Sequence, residues 1–291
     1  MSAALALAVV ALALRLWVLR ALPVIDADGV SYVTLARRLA DGGSAFDPLF
    51  HPLYPAAFAV VAPLAGDWEL AARLVSALAG ALLVLAAWAL TRALLGEDAA
   101  RLAAILVAVH PALVRAGTAA MPEALYALLL VGGVWAAWRA LGAGAEAWLV
   151  AAGFLFGLAY LARPEGAAYL LGLVAAVLLA TLRDRRRRRL AWGGGAVLAW
   201  ILVAAPYLVY LRGVQGRWTL SGKLAHNLSL VQGTAGAPSP LPWRVLENAY
   251  LFQKYALPEL LPGVVAFLLV PGVVARARRR GWLAQDGVLL A

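Results

Sequence analysis

Apolar stretches of roughly 20 residues recur along the chain, and a helix of that length crosses the hydrocarbon core of a bilayer. Hydrophobic residues make up 64% of the 291 residues and charged residues 14%, against about one half and about one quarter in soluble domains. Composition therefore excludes a soluble globular protein, and it also excludes a disordered one. Long apolar runs without alternation are helices in lipid, so we predict an all-α polytopic membrane protein. The predicted spans number about eight, near residues 2–23, 69–94, 102–116, 122–140, 147–162, 166–182, 191–212 and 258–275.

The distribution of arginine predicts the orientation of these spans. With a cytoplasmic N-terminus, the densest basic runs, 183–189 and 276–280, both fall in inner loops, as the positive-inside rule requires. The net charge of +10 is therefore interpreted as a topology signal rather than as a surface for anionic lipid, and no nucleic-acid partner is predicted. Two long outer segments remain, at 24–68 and 213–257.

We expect residues 1–291 to form a single membrane domain, since no internal repeat and no soluble domain is evident. Residues 282–291 resemble the start of another span, so the chain is expected to be incomplete at its C-terminus. Nothing in the sequence resembles an organelle signal, and the expected location is the inner membrane of a bacterium.

The first outer segment is long for a loop between spans, which indicates function. Its apolar residues predict a short amphipathic helix that ends at Gly42-Gly43 and lies in the membrane interface. The apolar positions of that helix are Val30, Val33, Ala36 and Leu39. A second apolar stretch follows the segment Phe50-His51-Pro52-Leu53-Tyr54-Pro55 and ends at Pro63. It is too short to span the bilayer and predicts another interfacial or re-entrant helix.

Two acids, Asp26 and Asp28, precede the first of these helices close to the membrane surface. One interpretation is a helix N-cap that also adds solubility, because Asp before a helix accepts backbone N–H bonds. The other is a general base, since a carboxylate can take a proton from a hydroxyl or amine that attacks a sugar. Both interpretations stay open at this point.

Further charged residues lie toward the same outer side of the predicted spans. They are Arg15, Arg20, Arg115, Glu123, Arg163 and Glu165, with His110 nearby. A charge at the bilayer centre costs about 2.5–3.5 kcal/mol on insertion scales, so such residues usually face a cavity or a partner. We interpret them as the lining of a polar pocket whose arginines hold a phosphate or pyrophosphate.

Each of these residues also has a structural interpretation. Arg15 can snorkel toward the interface, Glu123 is an acid that the dipole favours at a helix start, and Arg163 and Glu165 can form a turn-stabilising pair. The histidines are His51, His110 and His226. They lack close spacing, so a metal site has weak support and a divalent cation is left open as a cofactor.

The loop motifs occur as Asp26-x-Asp28-x-x-x-Tyr32, a Gly-Gly helix end and Pro52-Leu53-Tyr54-Pro55. This loop resembles that of the type C membrane glycosyltransferases, and especially the protein O-mannosyltransferase-like and aminoarabinose-transferase-like enzymes of bacteria. Later segments follow in the order of that family: Arg73-Leu74-Val75-Ser76, His110-Pro111, Pro122-Glu123-Ala124-Leu125, Gly157-Leu158-Ala159 and Arg163-Pro164-Glu165-Gly166. The resemblance covers roughly residues 5–180, and the order and spacing of the motifs carry it.

The resemblance implies a polyprenyl-phosphate-linked sugar as donor and transfer on the non-cytoplasmic face. It implies that Asp28, four positions before Tyr32, is the catalytic base and that Asp26 is a second acid that orients it or shares its role. Gly29 stands where many relatives have Glu, and the acceptor is left open as a protein, a lipid or a glycan.

The resemblance also implies a set of substrate-binding residues. His51 lies where relatives place a basic residue, Arg163 contacts the donor phosphate, and Glu165 holds Arg163 in place. The full set of candidate substrate-binding residues is Tyr32, His51, Arg163, Glu165, Glu123 and Arg15.

The sequence therefore predicts an inverting glycosyltransferase that moves a hexosyl or pentosyl group within a lipid bilayer. Two alternatives remain. A transporter or lipid flippase would have paired repeats and polar residues near the midplane, and a non-catalytic membrane scaffold would not need the loop acids. The one-sided polar residues and the absence of a repeat favour the enzyme.

Overall fold

A computed structural model of the chain describes residues 2–21, 24–142 and 144–223, which belong to one compact unit extending over residues 1–226. Every regular element within these ranges is an α-helix, which confirms the predicted all-α class. The helices are α1 Ser2–Leu19, α2 Ala27–Ala40, α3 Leu53–Ala65, α4 Trp68–Leu95, α5 Glu97–Val109, α6 Pro111–Ala116, α7 Glu123–Gly142, α8 Trp148–Ala162, α9 Gly166–Asp184 and α10 Arg188–Gln215. The predicted span at 258–275 lies outside the described residues.

Five of these helices, α1, α4, α7, α9 and α10, are long and apolar enough to cross a membrane. Helix α8 has only 15 residues, but ion pairs at both of its ends show that it covers the same depth as its neighbours. At one end Arg188 Nε lies 2.7 Å from Glu146 Oε2, and at the other Arg163 Nη1 lies 2.5 Å from Glu123 Oε1. The predicted spans near 147–162 and 122–140 therefore form an antiparallel pair.

The two ends of the helix bundle differ in charge. We call the end with Arg185–Arg189 the arginine end, and the end with residues 24–67 the loop end. At the arginine end, Arg189 Nη1 lies 3.2 Å from Asp184 Oδ2 and is buried. The loop end carries α2 and α3, the short helices expected between the first two spans.

The third predicted span is two helices, because Pro111 breaks it. Proline has no N–H and disfavours helical backbone at the preceding residue, and His110 accordingly has φ −59° and ψ 125°. The Nδ1 atom of His110 accepts a hydrogen bond from the Ala112 N–H at 3.2 Å, which caps α6. His110 therefore ends α5 and caps α6.

Arg15 of α1 lies beside this break and is 0% exposed. Its guanidinium donates to four backbone carbonyls: Ala11 O at 3.0 Å, Ala108 O at 3.2 Å, Val107 O at 3.4 Å and Leu113 O at 3.4 Å. A helix terminus leaves its last carbonyls without partners inside the helix. The break at Pro111 therefore supplies two of the four acceptors, Val107 O and Ala108 O, that keep this buried charge hydrogen-bonded.

Helix α2 buries Tyr32, Leu35 and Ala36 against the rest of the protein. Val30, one of the apolar positions expected to lie in the membrane interface, is 51% exposed. The ring of Tyr32 packs edge-on against Phe50 at 5.1 Å between ring centroids. This aromatic contact lies on the protein-facing side of the helix.

The close approach of α4 to Arg15 predicts a cost for any side chain at Gly80. An ideal Cβ on Gly80 would lie 2.6 Å from Arg15 Nε, and four hydrogen bonds hold that guanidinium in place. We expect Gly80→Ala to destabilise the protein by about 1–3 kcal/mol, measured as a lower thermal midpoint in detergent. Gly172→Ala is the matched control, because a Cβ there meets nothing within 4 Å. Equal midpoints for the two variants would contradict a rigidly held Arg15.

Candidate active site

The first turn of α2 presents the loop acids to solvent. Asp28 is exposed, and Tyr32 follows one helical turn later on the same face. Asp26 occupies the N-cap position with extended backbone, but its carboxylate forms no capping hydrogen bond. Asp26 therefore does not cap α2 through its side chain.

Tyr32 lies at the centre of a group of charged residues. Burial raises the pKa of the Tyr32 phenol, and the negative charge of Glu123 raises it further. The charges of Arg163, Asp28 and Glu165 also act on this phenol. Tyr32 consequently stays protonated and remains a hydrogen-bond donor among these residues.

Arg163 is held between two carboxylates that come from different segments. Its Nη1 donates to Glu123 Oε1 at 2.5 Å, while Nε and Nη2 donate to the two Glu165 oxygens at 3.3 and 3.2 Å. Its guanidinium also lies 5.9 Å from the centre of the Tyr126 ring. The resulting group carries one positive and two negative charges.

Local sequence explains how these side chains reach one place. Pro164 disfavours helical backbone at Arg163, whose φ −152° and ψ 142° end α8 and turn the side chain out of the helix. Glu165 follows at the N-cap of α9 without a side-chain capping bond. Glu123 is the first residue of α7, where the helix dipole favours an acid.

The ion pairs of Arg163 with the two glutamates determine which of these side chains are charged. Burial alone would lower the pKa of Arg163, but the hydrogen bonds that Arg163 donates to Glu165 and the charge of Glu123 outweigh it and raise that pKa. Burial alone would raise the pKa of Glu165, but the hydrogen bond from Arg163 lowers it. Arg163 and Glu165 are therefore both charged at neutral pH.

His51 lies beside this group and is 2% exposed. Its Nδ1 lies 2.6 Å from the carbonyl oxygen of Tyr160, and its ring packs edge-on against Tyr207 at 4.8 Å. Burial lowers the pKa of His51 to about 4, so the ring is neutral and Nδ1–H donates to Tyr160. Nε2 is then a buried acceptor with no partner among the described residues.

The structure brings together most of the predicted site residues. Asp28, Tyr32, Glu123, Arg163 and Glu165 share one electrostatic environment at the loop end, and His51 adjoins Arg163 and Glu165.

Arg15 lies apart from this cluster, among the carbonyls of α1, α5 and α6. Its place among the substrate-binding residues stays a prediction.

Sequence reasoning missed two residues of this region. Tyr126 lies one turn after Glu123 and beneath Arg163, and helical spacing from Glu123 was a signal that could have found it. Lys223 Nζ lies 5.2 Å from the centre of the Phe50 ring, and its charge acts on His51. Nothing local in the sequence links Lys223 with the first outer segment.

Within the described ranges, no three His, Asp or Glu side chains are grouped to hold a metal ion.

The buried, neutral state of His51 predicts that stability depends on pH. The folded pKa of about 4 lies below the ordinary value of 6.5, so protonation favours the unfolded chain. Stability is full above about pH 6.5 and falls toward pH 4, by on the order of 3 kcal/mol. We expect the thermal midpoint in detergent to fall more steeply with acidification in wild type than in His51→Gln. Parallel pH profiles would contradict this origin, since both proteins keep the other two histidines.

Residues 48–210 match the model of one protein family, described as dolichyl-phosphate-mannose-protein mannosyltransferase. A search of curated proteins finds no match. The family match includes His51, Glu123, Arg163 and Glu165, while Asp28 lies before its first residue. It spans more than half of the chain, and it agrees with the apolar helices and the order of the motifs. The chain therefore belongs to the dolichyl-phosphate-mannose-protein mannosyltransferase family and is a multi-pass membrane glycosyltransferase of the mannosyltransferase type.

Proposed function

We propose that this protein transfers a sugar from a polyprenyl-phosphate donor to an acceptor on the non-cytoplasmic face of the membrane. The observation that supports this best is the grouping of exposed Asp28, protonated Tyr32 and the paired Arg163 at the loop end. A carboxylate able to accept a proton and an arginine able to meet a phosphate are the two groups that this reaction needs.

The proposed reaction is a single displacement. Asp28 takes the proton of an acceptor hydroxyl or amine, and the acceptor attacks the anomeric carbon of the hexosyl or pentosyl group. The bond from that carbon to the phosphate oxygen breaks, and the anomeric centre is inverted. Arg163 stabilises the charge that develops on the leaving lipid phosphate, and Asp26 orients the acceptor beside Asp28.

The base assignment predicts a selective loss of activity. We expect Asp28→Asn to lower transfer from a radiolabelled polyprenyl-phosphate sugar by about 100-fold or more, since general-base catalysis contributes about 10²–10⁴. Membranes containing the full chain are assayed, with the membrane level of each variant measured in parallel.

Asp41→Asn is the matched control, because Asp41 is an exposed acid at the other end of the same helix. Labelling that persists in Asp28→Asn would reject Asp28 as the base. A biological role that is indifferent to the loss of both Asp26 and Asp28 would instead favour the non-catalytic scaffold.

The proposed orientation places the loop end outside and the arginine end in the cytoplasm of a bacterial cell, as the positive-inside rule favours. The sequence has no cysteine, so a single introduced cysteine is the one thiol of this chain that a maleimide can label. We expect Asp41→Cys in intact cells to react with a membrane-impermeant maleimide, and Arg187→Cys to react only after permeabilisation. Both positions are exposed in the structure, and the reverse labelling pattern would overturn the orientation.

A further inference from the structure

The two carboxylates that bind Arg163 do so unequally. Glu123 makes the shorter contact, 2.5 Å to Nη1, and its second oxygen is buried without a hydrogen-bonding partner among the described residues. Glu165 makes two longer contacts, of 3.2 and 3.3 Å, and its side chain is 55% exposed against 35% for Glu123. Glu123 is therefore half-buried, whereas Glu165 faces water.

The edge of Arg163 that Glu165 occupies has the geometry that recognises phosphate. The Nε and Nη2 atoms point in parallel from one side of the planar guanidinium and bind two oxygens of one group. Carboxylate and phosphate both bind this fork through two parallel N–H···O bonds. Glu165 thus presents to Arg163 the same pair of oxygens that a lipid phosphate would present.

Charge also favours an exchange at this edge. With both glutamates bound, the group carries a net charge of −1 and repels an incoming phosphate. Release of Glu165 into water moves one negative charge away from the guanidinium, and water can solvate this carboxylate, whose side chain is already 55% exposed. Glu165 caps α9 by position without a side-chain capping bond, and besides Arg163 its carboxylate is hydrogen-bonded to its own backbone N–H.

We propose that Glu165 is a placeholder for phosphate, occupying the Nε–Nη2 edge of Arg163 until the phosphate of the lipid-linked donor displaces it. Glu123 keeps its contact with Nη1 throughout and holds the guanidinium in position. This inference rests on the proposed function, because it takes the polyprenyl-phosphate sugar as the ligand of this site. It differs from a purely supporting role for Glu165, which would require the carboxylate to remain bound to Arg163 alongside the donor.

The test is equilibrium binding of a radiolabelled polyprenyl phosphate without a sugar to the full chain in lipid nanodiscs. Glu165→Gln removes the competing charge but leaves an amide that fits the same exposed site. We expect this variant to bind the probe about twofold to fivefold more tightly than wild type, which is the scale of a solvent-exposed ion pair. A supporting role predicts the opposite, weaker binding.

Two further variants make the result specific. Glu123→Gln is expected to weaken binding, because Arg163 loses the partner that holds it. Glu97→Gln is the matched control, since Glu97 also pairs with arginines, Arg92 and Arg101, but does so at the arginine end. It should leave the affinity unchanged. Thermal midpoints of all variants, measured in the same nanodiscs, separate lost binding from lost fold.

The outcomes distinguish this inference from the proposed function. Unchanged or weaker binding by Glu165→Gln at an unchanged midpoint would overturn the placeholder role alone. Absence of probe binding by the wild type, or full binding by Arg163→Gln, would overturn the donor assignment and the exchange together. If Asp28→Asn kept its transfer activity while Glu165→Gln bound more tightly, the base assignment would fall and the exchange would stand.

Discussion

The burial of one arginine inside the membrane domain imposes the arrangement of the helices around it. A charge at this depth needs hydrogen-bonding partners, because lipid supplies none. Arg15 finds two of them in the carbonyls that the break before Pro111 releases and another in Leu113 O, and it therefore connects α1 with both α5 and α6. Gly80 and Gly117 approach the guanidinium so closely that a side chain at either position would overlap it.

The helices around this buried charge are connected to the loop end through the segment after α6. Ser76 Oγ donates to the carbonyl of Met121 at 3.0 Å and so fastens that segment to α4. An ideal Cβ on Gly29 would lie 3.2 Å from the carbonyl of Ala120, which shows how closely the start of α2 rests on the same segment. The helix break inside the membrane and the helix that carries Asp28 are thus parts of one connected structure.

The site itself joins residues from separate stretches of chain, with α2 supplying an acid and a phenol, α7 an acid, and the turn between α8 and α9 an arginine and an acid. These groups meet because helix ends point to one side of the bundle. His51 lies on the same side of the bundle, and burial keeps its ring neutral. The result is a polar site with both charged and neutral hydrogen-bonding groups, next to surfaces that are otherwise apolar.

Sequence by itself determined the helical class, the five long spans among the described residues and the family, because apolar length and motif order are properties of the linear chain. It also suggested the pair of Arg163 with Glu165, but it missed Tyr126 and Lys223. Only the tertiary structure decided that Glu123 and Arg163, 40 positions apart, form an ion pair, that Arg15 is enclosed by carbonyls, and that α2 buries Tyr32 while Val30 is exposed. These features depend on how helices pack and rotate against one another, and contacts between distant segments leave no local pattern in the sequence.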